Sequence, residues 1–251
     1  MNKYSLLFPT LLMGATVMAQ PTPQGNALQA AKRRIASITR DHNTRSVQQE
    51  LDRYVSTGFA AETARSEDIQ AALTELLSNQ PEDPEHSGKP YARVADLRFG
   101  KSLVTAYMLA RGGEAVNDSS VTIRGYKIVE GKYQLTATTG SDLDGYGLFT
   151  HELESPVSGE SWLFVWGPQF GFNGTKMRMR VFAFDGATFR TIWAPDDMYS
   201  ATVHFTSSGF TIDHLDMQRL HEIRNPPYRL RDEYILTVAG PQRQSSAFLP
   251  E

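Results

Sequence analysis

The chain contains no cysteine. That excludes disulfides, thiol nucleophiles, iron–sulfur clusters and cysteine-bound zinc. It also excludes a lipid-modified N-terminal cysteine. A basic excess is missing too: 25 Lys and Arg stand against 28 Asp and Glu, for a formal net charge of -3. Dedicated nucleic-acid binders carry a basic excess, so nucleic acid is not an expected partner. Past the N-terminal segment, no run approaches the roughly 18 consecutive apolar residues of a membrane helix. The histidines are His42, His86, His151, His204, His214 and His221. No two of them show the HExxH spacing, and they form no compact cluster.

What is present reads as globular. The 251 residues are 40% hydrophobic and 21% charged, which argues against collagen-like, low-complexity and wholly disordered classes. Residues 1–19 have the form of a secretory signal. Lys3 supplies the positive start, Tyr4 to Val17 is mostly apolar, and Val17-Met18-Ala19 fits a small-x-small cleavage site. The expected mature chain begins at Gln20, is exported to the periplasm or beyond the cell, and keeps no stable membrane span.

Residues 20–90 read as a helical region ending in a Pro-rich linker. Pro21 to Gly25 is expected to be a flexible lead-in. Leu28, Ala31, Ile35 and Ile38 recur at helical spacing. A second helix is expected from Ser46, where Ser46-Val47-Gln48-Gln49 fits a capping box. A third is expected after Ser66 as N-cap, with Glu67 and Asp68 at the positive end of its dipole.

Residues 91–251 read as an antiparallel β-domain, so the fold class is α+β. About ten or eleven strands are expected between Tyr91 and Gly240. The architectures left open are a sandwich, an irregular barrel or a propeller-like meander. Trp162 to Trp166 is apolar on both faces, as a central, fully covered strand would be. Glu130-Gly131 and Asp185-Gly186 mark hairpins, the latter suiting a tight type I′ turn. Around Ser207-Ser208-Gly209 an even loop pairs Phe205 with Phe210 and Val203 with Ile212. Only that register separates apolar from polar residues cleanly.

Candidate chemistry is sparse. Phe99-Gly100-Lys101-Ser102 ends like a phosphate-binding loop, but Ala95 stands where its first glycine is required. Asp142 and Asp144 lie in a Gly- and Asp-rich turn that faintly resembles a calcium loop. Hard cations want more oxygen ligands than these two supply, so an ordinary turn is the better reading. No cofactor is expected beyond that weak calcium candidate. Asp213 and His214 are adjacent on a strand and point to opposite faces. Arg178 and Arg180 share a face with Phe182 and Phe184, and are expected to be solvated.

The aromatic group is the strongest functional signal. Trp166 precedes a Gly-rich loop that carries Gln169, Phe170, Phe172 and Asn173. Aromatic faces stack on sugar rings or grip a peptide strand, and the amides can hydrogen-bond the ligand. The expected function is therefore a non-catalytic binding or structural module, its ligand a glycan or another protein. The alternative is an exported hydrolase whose site joins residues far apart, such as His151 or His204 with a carboxylate. An enzyme needs an acid and a base converging in a cleft with shifted pKa values. A binding module needs exposed aromatics.

Overall fold

A computed structural model describes residues 23–38, 44–78, 91–95, 102–110, 119–169, 176–223 and 227–250. Residues 1–19, expected to be a secretory signal, residues 79–90, Phe99 to Lys101, and Phe170, Phe172 and Asn173 lie outside the described residues.

The fold is α+β. Among the described residues, three α-helices come first: α1 (Pro23–Ile38), α2 (Thr44–Gly58) and α3 (Ser66–Leu77). Twelve strands follow among them. They are β1 (Tyr91–Ala95), β2 (Ser102–Ala110), β3 (Ser119–Val129), β4 (Lys132–Thr138), β5 (Phe149–Leu153) and β6 (Ser161–Gln169). After them come β7 (Lys176–Phe184), β8 (Phe189–Trp193), β9 (Met198–Phe205), β10 (Gly209–Leu215), β11 (Arg229–Thr237) and β12 (Gly240–Phe248). One sheet has the order β1-β2-β3-β4. The other has eight strands in the order β12-β11-β10-β9-β7-β6-β5, with β8 also on β7. Every strand pair is antiparallel.

The larger sheet is two four-stranded meanders joined at a narrow hinge. β9 pairs β7 only at Lys176–Tyr199 and Met177–Met198. It then departs, and β9 to β12 fold back over β5 to β8. Ring contacts prove the fold-back. His151 of β5 and Phe205 of β9 are 3.8 Å apart, although β6 and β7 lie between them in the sheet. Flat strands at that separation would be roughly 14 Å apart, at about 4.8 Å per step.

Three cores hold four layers together. The helices cover one face of β1–β4, where Ile35, Leu51, Leu73 and Leu76 meet Leu103, Tyr107 and Tyr126. The apolar faces of the helices are thus covered within the chain. The other face of that sheet, with Val104, Ile123 and Ala137, packs on Leu163, Val165, Phe182 and Phe184. The far face of β6 and β7, with Trp162, Phe164 and Val181, packs on Ala201, Phe210, Ile212 and Tyr234. Each fully buried side chain of this size is worth about 1.5–3 kcal/mol of transfer free energy. β6 therefore feeds two cores from alternate residues. That is why Trp162 to Val165 read as apolar on both faces, although β6 stands next to the edge strand β5 and not at the sheet's centre.

The hairpin register follows the burial argument. Phe210 pairs Phe205, Thr211 pairs His204, and Ile212 pairs Val203. Thr206 N–H donates to Gly209 O at 2.9 Å, leaving Ser207-Ser208 as a two-residue turn. Glu130 and Gly131 have φ of 51° and 72°, and Val129 pairs Lys132. Two left-handed residues are what a type I′ turn requires.

Several local expectations are corrected. Asp185-Gly186 is not a two-residue turn, because Phe184 pairs Phe189 across four residues. The Asp185 carboxylate accepts from Ala187 and Thr188 N–H, both at 2.7 Å, which stabilises the wider loop. Ser66 is not the N-cap of α3. Arg65 holds that position without a side-chain cap bond, and its carbonyl accepts from Asp68 and Ile69 N–H. α2 begins two residues before Ser46, and Pro23 already opens α1, a position proline favours. β12 is a strand beyond the expected set. Residues 242–248 are all exposed, so no burial alternation marks it.

Candidate functional site

The exposed aromatic surface lies on β5, at the edge of its sheet. Phe149 pairs Trp166, His151 pairs Phe164, and Leu153 pairs Trp162. Period-two alternation therefore puts all six side chains on the face that β9 and β10 cover. Toward Leu153 and Trp162 that face is buried. Toward Phe149 it opens, because the covering hairpin ends at Phe205.

Four rings form a continuous row at the opening. Phe149 is 41% exposed and stacks on Trp166, with centroids 5.5 Å apart and planes 26° apart. His151 is also exposed and stacks on Phe205 at 3.8 Å and 20°. Trp166 and Phe205 are half-buried and touch each other at 5.4 Å. Both lean edge-on or tilted against the fully buried Phe164, at 5.4 and 5.3 Å. Phe164 in turn meets Phe210 at 4.8 Å. Edge-to-face contacts of this kind are worth about 0.5–1.5 kcal/mol each beyond area burial. The exposed rings are thus held by an aromatic core and not by loop side chains. Burial lowers the pKa of His151 below its ordinary value, so the imidazole is neutral at pH 7.

Of the residues expected to bind, Trp166 sits in this row. Gln169 does not share its face. It pairs Lys176, three positions from Trp166 on an unbroken ladder, and so points the other way. Phe149, His151 and Phe205 were not among the expected aromatic-site residues. The eight residues between Leu153 and Trp162 leave the β5–β6 register open in the sequence, and that register brings Phe149 onto Trp166.

The turn bearing Asp142 and Asp144 is a clamp. Asp142 pairs with Arg180, and its carbonyl accepts from Arg178 at 2.8 Å. Asp144 accepts from Val121 N–H at 2.8 Å. Tyr146 donates to Asp197 at 2.6 Å, and Arg178 reaches Asp197 at 2.9 Å while lying over the Tyr146 ring. Burial raises the Asp197 carboxyl, but Arg178 and Tyr146 outweigh it and hold the group below its ordinary range. Arg178 and Arg180 are therefore paired and largely covered, not solvated, because this turn folds over their face. Among the described residues, no group of three or more His, Asp or Glu is placed to hold a metal ion.

The imidazole–carboxylate pairs are also committed. His204 lies 3.7 Å from Asp213, but Arg231 grips that carboxylate with two bonds of 2.7 Å. Arg231 holds Asp213 below the ordinary carboxylate range. His214 meets the buried Asp232 at 3.3 Å with one nitrogen and Leu215 O at 3.2 Å with the other. Asp213 and His214 do face opposite ways, pairing Arg231 and Leu230 respectively. Carboxyls pushed upward by burial are Glu50 and Asp52, both on α2. Tyr126 donates to Asp52 at 2.6 Å, which ties α2 to β3. A recess of about 360 Å³ lies beside the start of α3, lined by Ala61, Glu62, Ser66, Ser102 and Tyr133 among others. Among the described residues, no imidazole lines it.

The chain matches no family model and no curated protein. Two solved structures resemble part of it, both of the alpha-L-arabinofuranosidase Arb93A from Fusarium graminearum with an iminosugar inhibitor, one of them a mutant. The mutant is 11% identical with a TM-score of 0.36, covering 63% of this chain and 48% of that one. The other is 12% identical with a TM-score of 0.37, covering 66% and 49%. The matched part spans about half the length of those enzymes.

Proposed function

We propose that this protein is an exported binding module whose ligand is a carbohydrate, held against the aromatic row Phe149, Trp166, His151 and Phe205. The observation that carries the reading is the row itself: four ring systems in continuous contact, two of them exposed, anchored on buried Phe164. Rings presented flat and held rigid lose little entropy on binding, and their faces suit the C–H faces of a sugar. A peptide added to the edge of β5 fits less well, because β1 approaches that strand. The hydrolase alternative has less support. Among the described residues, the raised carboxyls sit on α2, away from His151, His204 and His214, while Asp213, Asp232 and Asp197 are held as anions. Export rests on the apolar segment of residues 1–19, and with it cleavage after Ala19.

Thermal unfolding with and without a panel of cell-wall and extracellular glycans tests the proposal. A glycan at 100 times its Kd should add about 2.7 kcal/mol of stability. In a chain of this size that raises Tm by roughly 5–10 °C. The shift should shrink in Phe149→Ala and vanish when His151→Ala is added. A shift that survives Phe149→Ala and His151→Ala together, or a panel silent at millimolar concentration, would sink the reading.

A further inference from the structure

We infer that the ligand is an extended chain of uncharged sugars, with consecutive units lying on Phe149 and His151. This deepens the binding reading above and rests on it. Phe149 and His151 are two positions apart on β5, so they share a face with Cα atoms roughly 7 Å apart, at about 3.4 Å per residue. That separation is on the scale of one sugar ring. Each exposed ring is backed on one side by an inner ring, Phe149 by Trp166 and His151 by Phe205, within 26° and 20° of parallel. Two platforms therefore stand two residues apart on one strand, each with one covered face, and their backing rings are tilted 55° to each other. They are coupled through the Trp166–Phe205 contact.

The chemistry of the face selects an uncharged ligand. Its neighbours on β6 are Trp162, Phe164 and Trp166; on β9 they are Ala201, Val203 and Phe205; on β10, Phe210 and Ile212. None of these carries a charge. Thr150 and Glu152 of β5, and Thr202 and His204 of β9, alternate to the opposite faces. On this face, among the described residues, an anionic sugar would find no cation to replace its water, and a desolvated charge without a partner is strongly unfavourable. The lowered pKa of His151 keeps the second platform neutral as well.

Titration calorimetry of the full chain with neutral homo-oligosaccharides of one to four units, and with uronate oligosaccharides of the same lengths, tests this. Affinity should rise about tenfold from one unit to two, equivalent to about 1.4 kcal/mol for the second stacked ring. It should then level off. His151→Ala should abolish that gain, and His151→Phe should restore it. His151 is exposed, so both variants should melt within a few degrees of the parent. A single sugar that binds as tightly as its dimer would overturn the two-platform inference and leave the binding reading standing. Uronate chains that bind more tightly than neutral ones would overturn the uncharged class. If no saccharide of any length binds, both fall together.

Discussion

Replacing Gly167 with alanine should disrupt the molecule from a single methyl group. Gly167 lies in β6 where the turn before β5 crosses it. A Cβ built there would overlap the Gly147 carbonyl, with the Gly147 Cα only 2.8 Å away. The obstacle is backbone, so no rotamer change relieves it. The turn is itself tied down by Gly147 N–H donating to Pro168 O at 2.8 Å. Forcing a methyl into a packed site costs about 1–3 kcal/mol. Lifting the turn also weakens that hydrogen bond and strains Asp144 on Val121 N–H, Asp142 on Arg180 and Tyr146 on Asp197. A broken neutral hydrogen bond adds about 1 kcal/mol, and an orphaned buried donor about 1–3 kcal/mol. The expected loss is therefore about 3–5 kcal/mol, large for a single substitution. With roughly 2–4 °C per kcal/mol for a chain this size, Tm should fall by about 6–20 °C. Urea unfolding of the parent, Gly167→Ala and Gly140→Ala makes the comparison. A Cβ at Gly140 meets nothing within 4 Å, so that control should stay within about 0.5 kcal/mol of the parent. Equal midpoints for the two variants would refute the close-approach reasoning.

Tyr126→Phe removes the hydroxyl that donates to the half-buried Asp52 carboxylate. It should cost about 1–3 kcal/mol at pH 7, and less at pH 4, because burial raises the Asp52 pKa and brings its protonation nearer that pH. Denaturation at both pH values checks this, and an equal cost at both would contradict it. The Asp213 carboxyl has a depressed folded pKa, so its contribution is present above the unfolded value and lost as pH falls through the folded one. Asp213→Asn should therefore be less stable than the parent at pH 7 and converge with it in strong acid, as pH-dependent melting would reveal. Ser66→Ala should change stability by less than about 0.5 kcal/mol, because Ser66 makes no cap bond. A loss near 1 kcal/mol, typical of a removed N-cap, would reinstate Ser66 in that role.

The parts of the fold legible in the sequence are those where one face of an element is apolar and the other polar. The Phe205–Phe210 hairpin is the clearest case, since only one register sorts its side chains. The helices of residues 44–77 are legible for the same reason. β12 was illegible because residues 242–248 are exposed on both faces and alternate nothing. The Asp185 loop was misjudged because a side-chain carboxylate on two backbone N–H groups competes with the turn that an Asp-Gly pair otherwise favours. One of the four rings of the candidate site is legible in the sequence as a binding aromatic: Trp166 stands out as a large ring beside a Gly-rich loop. Its partners do not. Phe149 and Phe205 lie 17 positions before Trp166 and 39 after it, and only the β5–β6 ladder and the fold-back of β9 unite them.

The ends of this stack of sheets are finished in different materials. At one end α1–α3 seal an apolar face with a hydrophobic seam. At the other, the outer face of β9–β11 is closed by charge, with Arg231 locked on Asp213 and His204 beside it. Among the described residues, charged and polar side chains dominate that outer face, with Ile235 exposed beside them. Repeat proteins end their arrays in the same manner, with terminal units whose outer faces are polar. Here the number of layers is set by what covers the first sheet and what charges the last, and a stack with one layer more would need only a new pair of matched apolar faces inserted between them.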